Sequence, residues 1–215
     1  LGLRNVKTSN LFFNKLYSYI DSLFPNAKCE LFYNRDYELV IAVMLSAQTT
    51  DNAVNKVTEV LFSKYSTLET LNETSLEEIE NIIKPLGLSK TKAKNIKGIT
   101  SKLINDFGGV VPSDKDLLQH LDGIGNKSAG VIRAEVFKIP DLPVDTHILR
   151  ISNRLGLSKQ NSTPLEVENI LKKILPEEKW IEAHHKLIHF GRYFCTAKNP
   201  KCEECKIREY CNRQK

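Results

Sequence analysis

Four cysteines, Cys195, Cys202, Cys205 and Cys211, lie within seventeen residues in the pattern C-x6-C-x2-C-x5-C, and they constrain this chain more than any other feature. A loop that short does not close easily into two relaxed disulfides. It wraps readily around one compact soft acceptor, and thiolates serve both zinc and iron–sulfur clusters. Zinc ribbons commonly use two C-x2-C knuckles, and only one is present. The spacing therefore favours a single 4Fe–4S cluster, with zinc as the alternative. A disulfide framework would need an oxidising compartment, for which nothing else in the sequence argues. The fifth cysteine, Cys29, stands alone and reads as a small buried hydrophobe.

At 215 residues, 41% of them hydrophobic, the chain can bury a sizeable core as one large domain or two small ones. A charged fraction of 27% argues against a membrane protein, and the longest apolar stretch, Leu39 to Leu45, is far too short to span a bilayer. No basic-then-apolar-then-small secretory pattern opens the chain, which leads to the expectation of an intracellular protein. Lys and Arg outnumber Asp and Glu 31 to 26, a modest basic balance that permits a polyanionic partner without demanding one.

Apolar residues recur at helical steps almost throughout. Leu11, Leu16, Ile20 and Leu23 outline a first helix ending before Pro25. Leu39 to Leu45 is apolar all round, which in this context predicts a buried core helix. Ser75 and Glu78 form a capping-box pattern, with Pro85 as its stop. Ser113 and Asp116 suggest another cap, and Thr163, Pro164 and Glu166 a further helix start. Gly108 closes the helix running through Ala93, Ile96 and Leu103. About ten short helices and no persistent strand alternation predict an all-α fold. Candidate boundaries fall at the aperiodic stretch Lys28 to Asn34 and at the Pro140 and Pro143 pair.

The segment LDGIGNKSA, residues 121–129, lies between two helical stretches. Gly123 and Gly125 permit a tight turn with positive φ and leave backbone amides uncovered at the start of the second helix. Such an end binds phosphate. Leu121 and Ile124 would anchor the turn. Lys127 falls in the first turn, where the helix dipole disfavours a cation. That is odd for a stabilising residue and reasonable for a nucleophile. Further on, Asp145 in VDTH suits an N-cap, and an acid near an amine can also relay protons or stabilise a sugar cation.

The cysteine loop, the hairpin with its lysine and the VDTH segment together resemble the endonuclease III family of DNA glycosylases, over about residues 10 to 212. LSAQTTD at 45–51, Gly87 and Leu88 with KAKNI at 92–96, and Gly191, Arg192 and Tyr193 ahead of Cys195 extend the likeness. The resemblance implies a two-lobed helix–hairpin–helix DNA glycosylase fold. Residues 29–139 would form a six-helix barrel with the hairpin. Residues 1–28 and 140–215 would form a discontinuous helical domain with the 4Fe–4S cluster loop at 195–211. It implies Lys127 as Schiff-base lysine, Asp145 as catalytic aspartate, Gln48 and Leu88 filling the space left by a flipped nucleotide, and Gly123, Gly125 and Lys198 contacting the DNA backbone. The implied activity is that of a bifunctional glycosylase and abasic-site lyase for oxidised pyrimidines in base excision repair. Its partner would be double-stranded DNA containing damaged bases or abasic sites, bound by a DNA-associated intracellular monomer.

Four positions depart from the family pattern. Asp122 replaces a common proline, an exchange expected to loosen the turn and to bring a negative charge near phosphate. Asn126 replaces a frequent arginine and removes one phosphate contact. Gly130 stands for asparagine, making K-S-A-G as in adenine-mismatch relatives, although those lack the lysine. Phe190 stands where histidine is frequent. Other patterns have plainer explanations. Without the resemblance, Gln48 would be a buried cap amide and Leu88 a core leucine. Lys90, Lys92, Lys94 and Lys97 suit a solvated face as well as DNA contact, and His185 with His189 lacks a third metal ligand. Alternatives to the lyase are a monofunctional mismatch glycosylase of the same fold, a non-catalytic iron–sulfur DNA-binding protein, and an electron carrier.

Overall fold

The computed structural model describes residues 6–212, with side chains from Phe13 onward. Among the described residues there are eleven α-helices and no strand: α1 (Val6–Leu23), α2 (Asp36–Leu45), α3 (Asp51–Lys64), α4 (Leu68–Glu73), α5 (Leu76–Ile83), α6 (Ser89–Phe107), α7 (Lys115–Gln119), α8 (Asn126–Phe137), α9 (Thr146–Arg154), α10 (Pro164–Ile174) and α11 (Trp180–His189). The chain divides into two compact units, Glu30–Ile139 and the discontinuous pair Leu1–Cys29 with Pro140–Lys215.

In the first unit, α2 is the core helix that its all-round apolar sequence predicts. Every residue from Tyr37 to Leu45 is buried, and the helix packs on α3, α6 and α8. Each such Leu or Ile contributes about 1.5–3 kcal/mol by leaving water. The one charged residue among them, Glu38, accepts from the Asn34 and Arg35 amides at 2.7 and 3.2 Å and from the Arg35 guanidinium at 2.8 Å. Its carboxylate thus caps the helix that buries it.

Helix ends follow the sequence signals with two corrections. Ser75 caps α5 through the Glu78 amide, but the Glu78 carboxylate turns to Lys64 at 2.7 Å instead of closing the box. The cap of α7 is Asp114, which accepts from the Asp116 and Leu117 amides, not Ser113 or Asp116. Thr163 and Glu166 form the full capping box of α10, and Gly108 closes α6 at φ 60°.

In the discontinuous unit, Phe13, Leu16 and Ile20 of α1 pack with Ile148, Ile151, Leu171 and Leu187. Phe190 is buried there, its ring stacked 5.2 Å from that of Phe194 and edge-on to Tyr19. The departure from histidine at this position is therefore a core substitution. Cys29 is half-buried, more exposed than a core hydrophobe. Of the His185 and His189 pair, the His189 imidazole meets the Lys28 carbonyl.

A buried lysine of α11, Lys186, bonds both Asp21 of α1 and Glu182. The Lys186 ammonium holds the Glu182 carboxyl down at about 2, against an ordinary 4.5. A depressed carboxylate contributes stability that is fully present above its unfolded value and is lost as pH falls through the folded one. Glu182→Gln is therefore expected to lower stability near neutral pH and to flatten its decline between pH 4.5 and 2. Urea titrations of both proteins across that window check this, and an unchanged slope would refute it.

Candidate functional site

The unit Glu30–Ile139 carries five of the candidate residues. The hairpin between α7 and α8 is tied by bonds from the Leu121 amide to Leu118 and from the Ile124 amide to Leu121, each 3.1 Å. Leu121 and Ile124 are buried anchors. The two glycines do different jobs. Gly123 sits at φ 77°, and a Cβ there would come 2.5 Å from the Asn95 amide nitrogen and 3.0 Å from Met44. Glycine is thus required twice over. Gly125 is extended, not left-handed as expected, and a Cβ there would meet nothing. It is the N-cap of α8 and supplies no side-chain cap. The first amides of α8 therefore lack an acceptor within the helix, on an open surface. Asn126 and Lys127 are exposed in that turn.

Asp122 does not loosen the hairpin. Its carboxylate pairs with Lys102 of α6 at 3.0 Å, and Lys102 also bonds the His120 carbonyl at 2.7 Å. The Asp122 side chain lies over Gly98, where a Cβ would fall 1.6 Å from its carboxylate oxygen. The charge that replaces proline is thus paired with a lysine of α6.

Gln48 and Leu88 share an unusual backbone. They sit at φ 57° and 50°, two of only three non-glycine residues with positive φ among those described. Left-handed backbone without glycine costs about 1–3 kcal/mol and persists only where the surroundings impose it. Both are exposed, Leu88 at 61%. Neither the buried cap amide nor the core leucine survives. The basic helix start of α6 is also not a uniform solvated face. Lys90 and Lys94 are exposed. Lys97 bonds the Asn72 and Thr74 carbonyls, and Lys92 is buried at 4% exposure.

The discontinuous unit carries the remaining candidates. Asp145 caps α9, with Oδ1 accepting from the His147 and Ile148 amides, both at 2.9 Å. Capping therefore occupies one carboxylate oxygen and leaves Oδ2 for other work.

At the end of α11 the backbone widens into a π-turn, Phe190–Phe194, closed by the Cys195 amide on the Phe190 carbonyl. That turn delivers the chain into the cysteine loop. Cys195, Cys202, Cys205 and Cys211 are all free thiols, which removes the disulfide framework. They line one cavity, partly open to solvent and walled by Phe190 and Phe194. A lone zinc ion needs all four sulfurs about 2.3 Å from one point. Four thiols around a cavity suit a larger group. Burial pushes the Cys205 thiol up, so its thiolate needs positive charge beside it, which a bound iron cluster would supply. Two arginines of α9 complete the loop, and motif reading missed both. Arg150 bonds the Gly191 and Cys195 carbonyls. Arg154 bonds the Thr196 and Ala197 carbonyls and the Cys195 sulfur, the last at 3.3 Å. Their spacing, four apart on one helix face, was the available signal. Lys198 and Lys201 are exposed on the same loop.

Residues 41–177 match the HhH-GPD superfamily of base excision DNA repair proteins, and residues 195–211 match the iron–sulfur binding domain of endonuclease III. Endonuclease III of Bacillus subtilis is 46% identical over 192 residues, 89% of this chain and 88% of that protein. Its counterpart in Rickettsia conorii is 44% identical, over 93% of this chain and 94% of that one. Among solved structures, a non-covalent endonuclease III–DNA complex superposes with a TM-score of 0.92 at 42% identity, covering 94% of this chain and 95% of that one. A trapped endonuclease III–DNA covalent intermediate gives 0.92 at 41% identity, over 96% and 99%. An all-helical body, a hairpin with an exposed lysine and four thiols around one cavity thus agree with sequence and structural likeness over nearly the whole chain, which belongs to the endonuclease III family of the HhH-GPD superfamily and carries its 4Fe–4S cluster.

Proposed function

We propose that Lys127 is the nucleophile and Asp145 the assisting carboxylate of a bifunctional DNA glycosylase and abasic-site lyase that removes oxidised pyrimidines from double-stranded DNA. The observation that carries this reading is the exposed amine in the first turn of the one hairpin helix left without a side-chain cap. An uncapped helix start attracts a phosphate, and phosphate contact would hold the sugar beside the amine. The trapped covalent intermediate of a 41% identical relative supports it by likeness.

A base inside the duplex is out of reach and must first be extruded. Gln48 and Leu88 would fill the vacated stack. The neutral Lys127 amine attacks C1′ of the deoxyribose. A C–N bond forms, the glycosidic C–N bond breaks, and the base leaves with a proton. The sugar ring opens to an imine carrying the lysine nitrogen. Loss of a 2′ proton then drives electrons toward the imine and breaks the C3′–O bond, releasing the 3′ phosphate. Water hydrolyses the imine and restores Lys127. Asp145 would stabilise positive charge on the sugar and relay protons through Oδ2, while Oδ1 keeps its cap. The cluster fixes the loop that presents Lys198 and Lys201 and carries no step of this chemistry. The protein would act as an intracellular, DNA-associated monomer.

Borohydride should trap a covalent adduct with DNA containing an abasic site, because only an imine is reduced this way. Lys127→Gln should abolish trapping and nicking while DNA binding persists. Adduct at the wild-type rate would mean another amine is the nucleophile. Asp145→Asn keeps a cap oxygen and removes the charge, so base release should slow by ~10²–10⁴ without loss of folding. A smaller loss in single-turnover rates would remove its proposed role. Lys198→Ala should reduce the slope of log affinity against log salt by about one, with lesion preference unchanged. Cys202→Ser should lower bound iron and sulfide together, and zinc without sulfide in anaerobically purified protein would contradict the cluster assignment.

A further inference from the structure

Lys92 is a buried ammonium that the mechanism above does not use. It lies one turn into α6, and its amide bonds the Leu88 carbonyl at 2.9 Å. Its ammonium donates to the Thr49 hydroxyl at 2.9 Å and to the Leu86 carbonyl at 3.2 Å. The Thr49 hydroxyl also donates to the Leu86 carbonyl, at 3.2 Å. Thr49 directly follows Gln48, and Leu86 lies two residues before Leu88. One cation therefore joins the turn bearing Gln48 to the turn bearing Leu88.

This arrangement is hard to explain by stability alone. The ammonium faces two neutral oxygens and, among the described residues, no carboxylate. Burial accordingly pushes its pKa down. An apolar side chain of similar length would fill the space without a desolvation penalty. What an apolar replacement could not do is donate to both turns at once and brace the bond between Thr49 and Leu86. The left-handed backbone of Gln48 and Leu88 persists only where surrounding contacts impose it, and Lys92 bonds both oxygens of the one direct side-chain contact between the turns, Thr49 to Leu86.

We propose that Lys92 is a positioning residue for base extrusion: it locks the Gln48 and Leu88 turns into a single rigid wedge before DNA arrives. The proposal rests on the reading of Gln48 and Leu88 as the residues that fill the opened stack. A preorganised wedge matters most where pairing and stacking must be broken. It matters least where the lesion is already unpaired, because extrusion is then easier.

The test compares single-turnover excision of thymine glycol from a fully paired duplex with excision from the same duplex carrying the lesion in a mismatched bubble. Lys92→Met keeps the packing volume and removes the donors. It should slow the paired substrate about tenfold, the scale of lost charge-assisted hydrogen bonds, and the bubble substrate less than about threefold. Thr49→Val, which breaks the clamp from its other side, should give the same split. In a Gln48→Ala, Leu88→Ala background, Lys92→Met should cost less than about twofold, since nothing remains for it to position. Thermal unfolding should show Lys92→Met as stable as wild type or more so. Equal slowing on both substrates, or a full tenfold cost in the double-alanine background, would overturn the proposal. Trapping by borohydride keeps the two levels apart. If wild type traps and the Lys92 pattern fails, this inference falls alone. If wild type traps nothing, the lyase reading falls and takes this one with it.

Discussion

A helix with no polar face has to be enclosed, and the enclosure of α2 sets the geometry around it. Tyr37 to Leu45 are all buried, so α3, α6 and α8 are drawn around them. Two of these neighbours, α6 and α8, carry residues of the candidate site, Lys92 and Lys127. The C-terminal end of α2 feeds directly into the turn bearing Gln48. Met44, near that end, limits the room at Gly123 and so keeps a side chain out of the hairpin. The start of α6 brings Lys92 against Thr49. The candidate residues of this unit thus hang from one hydrophobic constraint, and a cavity opened in α2 would move several at once.

The helix ends divide the work between stability and chemistry. Thr50, Thr67, Ser75, Asp114 and Thr163 satisfy the amides of their own helices with side chains. At α8 the cap is a glycine, which leaves those amides for an outside acceptor. Asp145 stands between the two cases. A cap and a catalytic acid are competing explanations of one residue only if both need the same oxygen, and here Oδ1 does all the capping. The cap then helps orient the carboxylate, so the structural role would prepare the chemical one proposed for it.

What the sequence disclosed was what is local. The cysteine spacing, the G-x-G turn and the Thr163 box each depend on a few consecutive residues, and each could be found without tertiary information. What it hid depends on distant partners. Asp122 looked like a loosened turn because its brace, Lys102, is twenty residues away on another helix. Lys92 looked like one of four surface lysines, although its neighbours Ala93 and Ile96 already place that face of α6 inward. The positive φ values of Gln48 and Leu88 carry no local signature, because neither residue type prefers that conformation. Only the fold around them imposes it.

Local rules are broken together around Gln48, Leu88 and the hairpin: a leucine left in water, two left-handed side-chain-bearing residues, a cation buried without an anion, a helix whose cap is a glycine. Each alone is an ordinary cost of folding. Their concentration is harder to attribute to chance, because sequences that fold well keep local preference and global structure in agreement except where function needs otherwise. The exceptions are also of compatible kinds. The exposed leucine and the strained turns present side chains outward, the lysine fixes the turns, and the bare helix end offers amides for an anion. A surface prepared in this way gains nothing in the free protein. It gains only when a polyanion with a separable stack of bases lies against it, so the cost in the free state is itself an argument for that partner.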